Sequence, residues 1–101
     1  MTTKQEPKNL IFLKSYDFMK LGPAIEHGNW QMAAMTSQRM QKTAQELEMD
    51  MFVRQLANIR QCIMHKQGKA AKDILALMVA RRTQMLNDIE KSRDAQDGHE
   101  G

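Results

Sequence analysis

The chain has 101 residues, of which 42% are hydrophobic and 27% charged, enough for one domain with its own core. Its net charge of +3 is mild and its basic residues are interspersed with acidic ones, which argues against a nucleic-acid partner. The single cysteine excludes an internal disulfide. Since an apolar leader and an apolar run of about 18 residues are both absent, we expect a cytoplasmic protein without a membrane span.

The composition favours an all-α fold. Glycine, proline and aromatic residues are few, whereas Ala, Met, Leu, Gln, Lys and Glu, which lose little rotamer freedom in a helix, are plentiful. Residues 1–8 are polar and contain Pro7, which predicts a flexible N-terminal arm. Asn9 can N-cap a first helix that runs to about Lys20, and Gly22-Pro23 then predicts a kink or a restart.

The second predicted helix has two different faces. Gly28 suits the left-handed C′ position of the preceding helix, and Asn29 can cap a helix from Trp30 to about Glu48. At about 100° per residue, one narrow stripe of this helix is apolar, with Trp30 and Ser37 at its edge. The stripe contains Ala33, Met40, Ala44 and Leu47. The opposite face contains Gln31, Met35, Gln38, Lys42 and Gln45.

The third predicted helix carries the most regular apolar stripe. Asp50 is its N-cap candidate, and Gly68 is the candidate for the left-handed residue that ends it. Its core residues recur at spacings of four, three and four, as an amphipathic helix requires. They are Phe52, Leu56, Ile59 and Ile63.

The fourth predicted helix runs from near Lys69 to about Lys91. Its heptad-like seam is interrupted by Arg82, for which two interpretations are open: the aliphatic stem packs while the guanidinium reaches solvent, or the side chain forms a buried pair with a carboxylate. Residues 92–101 have no periodicity, which predicts a disordered tail after a bundle that covers 9–91. The seam consists of Ala71, Leu75, Met78, Arg82, Met85 and Ile89.

Four helices joined by short turns predict an antiparallel up-down-up-down bundle, with the Gly28 and Gly68 turns at the same end. Helices of this length are marginal in water by themselves, so burial of one face per helix must supply the stability.

Two segments resemble histidine-containing phosphotransfer domains. Residues 24–30, AIEHGNW, resemble the A-L-x-x-G-D-W turn of that family, and residues 37–44, SQRMQKTA, lie where it carries A-H-x-L-K-G-S-A. The resemblance extends over about residues 10–90 through helix lengths and turn spacing. It implies a four-helix bundle that works in bacterial two-component phosphorelay and contacts a receiver domain.

The central motif departs from that family at its reactive position. Gln38 replaces the phosphoacceptor histidine, and a primary amide has no imidazole nitrogen that could carry a phosphoryl group. Lys42 replaces the small glycine that lets a receiver domain approach, and Gln41 replaces the lysine at the third position after the histidine. Met40, Thr43 and Ala44 still match, so the helix and its inward face are kept while the reactive patch is not.

Two alternatives involve the histidines. His27 and His65 fall at predicted helix ends, where a cationic imidazole favours the helix dipole, and a displaced phosphoacceptor is the less favoured interpretation. Cys62-x-x-His65 with His27 lacks a fourth evident zinc ligand, so we predict no metal and no cofactor, and an inert cysteine.

The sequence therefore predicts a non-catalytic signalling or adaptor domain that binds a receiver domain or another protein. No nucleophile and base pair and no phosphate-binding glycine loop is visible. The alternative is a structural or dimerising bundle, and the sequence leaves the oligomeric state open. Flexible thioethers off the inner stripes suit adaptable contacts; they belong to Met32, Met35, Met49 and Met64. The predicted partner-binding residues are Gln31, Met35, Gln38, Arg39, Gln41, Lys42 and Gln45.

Overall fold

A computed structural model describes residues 8–100, with side chains over 9–91. These residues form helices and no strand, and four of the five helices (α2 to α5) pack against each other around one core. The predicted all-α class is therefore confirmed. The predicted arm lies outside the described residues except for Lys8, which begins α1. The helices are α1 Lys8–Leu13, α2 Asp17–Glu26, α3 Trp30–Glu46, α4 Asp50–Met64 and α5 Gly68–Glu100.

The predicted first helix is two helices, and the break is not where the sequence placed it. The chain leaves α1 after Leu13, and Ser15 Oγ accepts a hydrogen bond of 3.1 Å from the amide of Asp17, which starts α2. Gly22 and Pro23 lie inside α2. Pro23 is tolerated there because it lies on the exposed side of the helix, where water can satisfy the carbonyl that loses its donor.

The turns after α2, α3 and α4 have the same conformation. Each contains one residue with positive φ at the C′ position: Gly28 at 71°, Glu48 at 58° and Lys66 at 55°. The next amide bonds to the carbonyl five residues earlier, as in a Schellman motif. These bonds are Asn29 to Ala24 at 2.8 Å, Met49 to Ala44 at 2.9 Å and Gln67 to Cys62 at 2.8 Å.

Of the five predicted caps, two are confirmed and three are wrong. Asn9 is the second residue of α1 and not its N-cap. Gly28 occupies the left-handed position, and Asn29 Oδ1 accepts from the amide of Met32 at 3.3 Å. Gly68 is not the left-handed residue after α4, because Lys66 has that conformation. Gly68 instead begins α5, where an added Cβ would lie 3.5 Å from Trp30 Cη2. Asp50 is the first residue of α4 rather than its N-cap, a position where its charge favours the dipole.

The predicted stripes form the core. All four residues of the α4 stripe are buried, and in α3 Ala33, Met40 and Ala44 are buried while Leu47 is half-buried. Residues from the first two helices add an aromatic cluster in which the rings of Phe12, Phe18 and Phe52 meet edge to face, with centroids 5.2–6.4 Å apart. Met49, predicted off the inner stripes, is buried where the chain enters α4.

The α5 seam is buried in its first half and half-buried in its second. Ala71, Leu75 and Met78 are core residues, whereas Arg82, Met85 and Ile89 are partly exposed. Arg82 Nε donates to the backbone carbonyl of Leu13, and its guanidinium lies 5.3 Å from the centroid of the Phe18 ring. The acceptor is thus a main-chain carbonyl at the end of α1, which corrects the interpretation of a carboxylate pair.

The backbone of α5 is helical through Glu100, past the predicted bundle boundary at Lys91. A helix that has already nucleated adds a backbone hydrogen bond for each further residue, so it can continue without a periodic apolar pattern. The disordered tail predicted for residues 92–101 stays a prediction, and residue 101 lies outside the described residues. Within the described part of the chain, none of the helices has the length and apolar character needed to cross a membrane.

Candidate functional site

The outward face of α3 is the candidate site. Gln38 lies in the middle of this 17-residue helix with its side chain exposed, while the neighbouring Ser37 and Met40 are buried. Met35, one turn earlier, is 54% exposed. Gln38 and Met35 belong to an open face whose other residues are polar and exposed. These other residues are Gln31, Lys42 and Gln45.

Arg39 borders this open face on the side of α2. Its Nε and Nη2 donate to the two carboxylate oxygens of Asp17 at 3.0 and 2.9 Å. The hydrogen bond and then the negative charge of Asp17 raise the pKa of Arg39 above its usual value, so the guanidinium stays cationic. The side chain predicted to bind a partner is therefore paired with α2, although 52% of it is exposed, and the pair links the start of α2 to α3.

Gln41 borders the open face on the side of α4. Its Oε1 accepts from Arg60 Nη1 at 2.6 Å, and its Nε2 donates to the backbone carbonyl of Val53 at 3.4 Å. Of the seven predicted residues, five thus form the open face and two are bonded to the neighbouring helices. The sequence contained no local signal for Asp17 or Arg60, which are 22 and 19 residues from their partners.

The open face offers amides, a thioether and an ammonium group. The Gln38 carboxamide can donate and accept hydrogen bonds but has no nucleophilic nitrogen. Lys42, one turn later, places a flexible cation beside it. The arrangement is suited to binding a surface by hydrogen bonds and charge.

The histidines and the cysteine lie away from this face. His27 and His65 are exposed at the C-caps of α2 and α4, as the dipole argument predicts, and Cys62 is a half-buried free thiol. Among the described residues, no three His, Cys, Asp or Glu side chains are grouped so that they could hold a metal ion.

Two grooves flank the fold. The α3–α4 groove has a volume of about 360 Å³ and is lined by Ala34, Gln41, Ala57, Arg60, Gln61, Ile63 and Met64. A second groove of about 340 Å³ lies where α5 passes the turn between α3 and α4. Its lining includes Leu47, Met49, Phe52 and Met85.

Comparisons of the chain with protein-family models, with curated proteins and with solved structures find no match. The fold and the site therefore define an all-α domain with an open polar face on α3, and this geometry is the basis for its proposed function.

Proposed function

We propose that this chain is a phosphotransfer-like four-helix domain that binds a receiver domain, or another protein, through the open face of α3 without accepting phosphate. The observation that carries the proposal is the position of Gln38, exposed in mid-helix above a buried apolar stripe. An imidazole at this position would be available to a docked partner, and the amide at the same position is available for contact alone.

The proposal includes an up-down-up-down order of α2 to α5, for which contacts between helix ends give support. Lys72, near the start of α5, pairs with Glu26 at the end of α2 at 3.2 Å. Asp17, at the start of α2, pairs with Arg39 in the second half of α3. The first pair joins the start of one helix to the end of another, as antiparallel neighbours would, and the second joins the start of α2 to the middle of α3.

The two bordering contacts support a binding role because they hold α3 in place. Arg39 and Gln41 each bond to a different neighbouring helix, so the open face between them is fixed at both edges. A surface that is ordered before binding loses less conformational entropy on association. This favours recognition of a complementary surface without rearrangement of the bundle.

A gain-of-function experiment tests the proposal. The double variant Gln38→His, Lys42→Gly restores an imidazole and removes the bulky neighbour. Incubated with receiver domains phosphorylated by radiolabelled acetyl phosphate, it should acquire acid-labile, base-stable label. The matched control Gln31→His, Lys42→Gly places the imidazole two turns earlier on the same face and should acquire much less.

Two outcomes would contradict the proposal. Stable label on any histidine of the unchanged chain would show that phosphate acceptance survives. Absence of label on the folded double variant, together with no binding of any receiver domain by the unchanged chain, would remove the relation to phosphorelay.

The second candidate function is a structural or dimerising bundle. It is favoured by large apolar side chains on the outside of the first two helices: Ile11, Tyr16 and Met19 are 66%, 74% and 68% exposed. Large exposed apolar side chains of this kind are often covered in an assembly when they are contiguous. Sedimentation equilibrium separates the candidates, because a tight dimer supports the second and a monomer supports the first.

A further inference from the structure

The helix pair α3 and α4 carries no carboxylate along most of its length. Residues 30–45 and 51–64 contain neither Asp nor Glu, but they contain Arg39, Lys42, Arg54 and Arg60. Arg39 pairs with Asp17, whereas the three other cations make no ion pair with any residue that the structure describes. Acidic residues return only at the turn between the helices, where Glu46, Glu48 and Asp50 lie.

The α3–α4 groove has one of these cations, Arg60, in its lining. Alanines from each helix, Ala34 and Ala57, line it together with Ile63, and their small side chains leave the space between the helices open. Met64 stands at its edge with 70% of its side chain exposed. The lining thus combines small and apolar side chains with an adaptable thioether and three polar side chains.

Arg60 supplies the charge at the centre of the groove. Its Nη1 donates to Gln41 Oε1, and its side chain is exposed, so the remaining donors of the guanidinium face solvent beside the groove. A carboxylate can be bound there by two parallel hydrogen bonds, the geometry that arginine favours.

We propose that the α3–α4 groove binds an acidic amphipathic helix of the partner, with apolar side chains against Ala34 and Ala57 and a carboxylate against Arg60. The inference rests on the proposed function and specifies the chemistry of its partner. Charge complementarity with Arg60 selects an acidic occupant, and a groove between two helices suits the helix-in-groove mode of recognition. A nucleic acid is less favoured, because the groove has few cations and no aromatic side chain for stacking.

A designed peptide tests the proposal on the full chain. The probe is a fluorescent helical peptide of about 16 residues with leucines at i, i+3, i+4 and i+7 flanked by glutamates, and its matched form has lysines in place of the glutamates. We expect the acidic peptide to bind at least about tenfold more tightly, with a difference that decreases at high salt. In spectra of methyl-labelled methionine, Met64 should shift on binding and Met19 should not.

Two variants address the apolar and the charged parts of the groove separately. Ala57→Leu fills the base of the groove from an exposed helical position, and Arg60→Glu reverses its charge; each should weaken binding of the acidic peptide about tenfold or more. The control Lys20→Glu makes the same charge change on exposed α2 and should leave the affinity within about twofold. Circular dichroism verifies that all three variants are folded.

Several outcomes would overturn the proposal. These are equal binding of both peptides, equal losses in the Lys20 and Arg60 variants, and tighter binding of a DNA duplex that is lost on Arg60→Glu. A dimer of the chain that Arg60→Glu dissociates would also overturn it, since the occupant would be a second copy.

The two proposals can fail separately. Label on the Gln38→His, Lys42→Gly variant without peptide binding would reject the groove and leave the proposed function standing. Peptide binding without label would reject only the phosphorelay relation.

Discussion

At the scale of single residues, the three left-handed turns differ in conformational cost. Gly28 adopts positive φ without a steric penalty, whereas Glu48 and Lys66 carry a Cβ in the same conformation. For an ordinary L-residue this conformation costs about 1–2 kcal/mol, a cost that the surrounding hydrogen bonds must offset.

Replacing Lys66 by glycine should stabilise the protein. The steric cost disappears and the greater freedom of glycine in the unfolded chain offsets part of the gain, so we expect the free energy of unfolding to rise by about 0.5–1 kcal/mol. Urea denaturation measures the change. The neighbouring Gln67→Gly, at a position without positive φ, should instead destabilise, and equal effects of the two variants would refute the argument.

Arg82 joins α5 to the end of α1 and to the Phe18 ring. Arg82→Ala should lower the free energy of unfolding by about 1–2 kcal/mol, because it removes a charged hydrogen bond and a cation–π contact at a half-buried site. The exposed neighbour Arg81→Ala should change it by less than about 0.5 kcal/mol. Hydrogen exchange should also become faster in α1 of the Arg82 variant, and unchanged protection there would count against this role.

At the scale of the elements, α3 has one face in the core and an open face on the opposite side. Two methionines on this helix, one buried and one exposed, allow the stability contributions of the two faces to be compared. Met40 is 1% exposed and Met35 is 54% exposed. Met40→Ala should therefore cost about 2–5 kcal/mol by leaving a cavity, whereas Met35→Ala should cost about 0.5 kcal/mol or less. Thermal and urea unfolding measure both, and similar values would mean that the orientation of α3 is different.

Helix α5 continues beyond the last partly buried position that the structure describes, Ile89. A chain that ends at Lys91 keeps every packing contact described here, so its free energy of unfolding should agree with that of the full chain within about 0.5 kcal/mol. Its helical circular dichroism signal should fall in proportion to the residues removed. A loss of several kcal/mol would move the boundary of the folded domain toward Glu100.

At the scale of the whole molecule, the sequence predicted what depends on periodicity and not what depends on contacts between distant residues. The core positions of α4 and the Gly28 turn follow from local patterns, and both are confirmed. The break between α1 and α2 was missed because Gly22-Pro23 is a stronger breaker in sequence than Ser15, although packing against α5 keeps Gly22 helical.

The exposed face of the candidate site could be predicted from the sequence, but its hydrogen bonds to the neighbouring helices could not. Helical periodicity was enough to place Gln38 on the outside. The bonds of Arg39 and Gln41 depend on how α2 and α4 are aligned with α3, which local sequence does not encode. The left-handed residue after α4 is Lys66 and not the predicted Gly68 for a similar reason. Gly68 lies where α5 begins, close to the Trp30 ring.

The division of the methionines between core and surface has a chemical consequence. Met19, Met32, Met35, Met51 and Met64 are exposed, whereas Met40, Met49 and Met78 are buried. Mild peroxide should oxidise the exposed group to sulfoxides first, while close packing protects the interior thioethers. Oxidation would then make the flexible, apolar methionine side chains on the surface polar before it reached those in the core. Peptide mass spectrometry would record the order in which the methionines are oxidised.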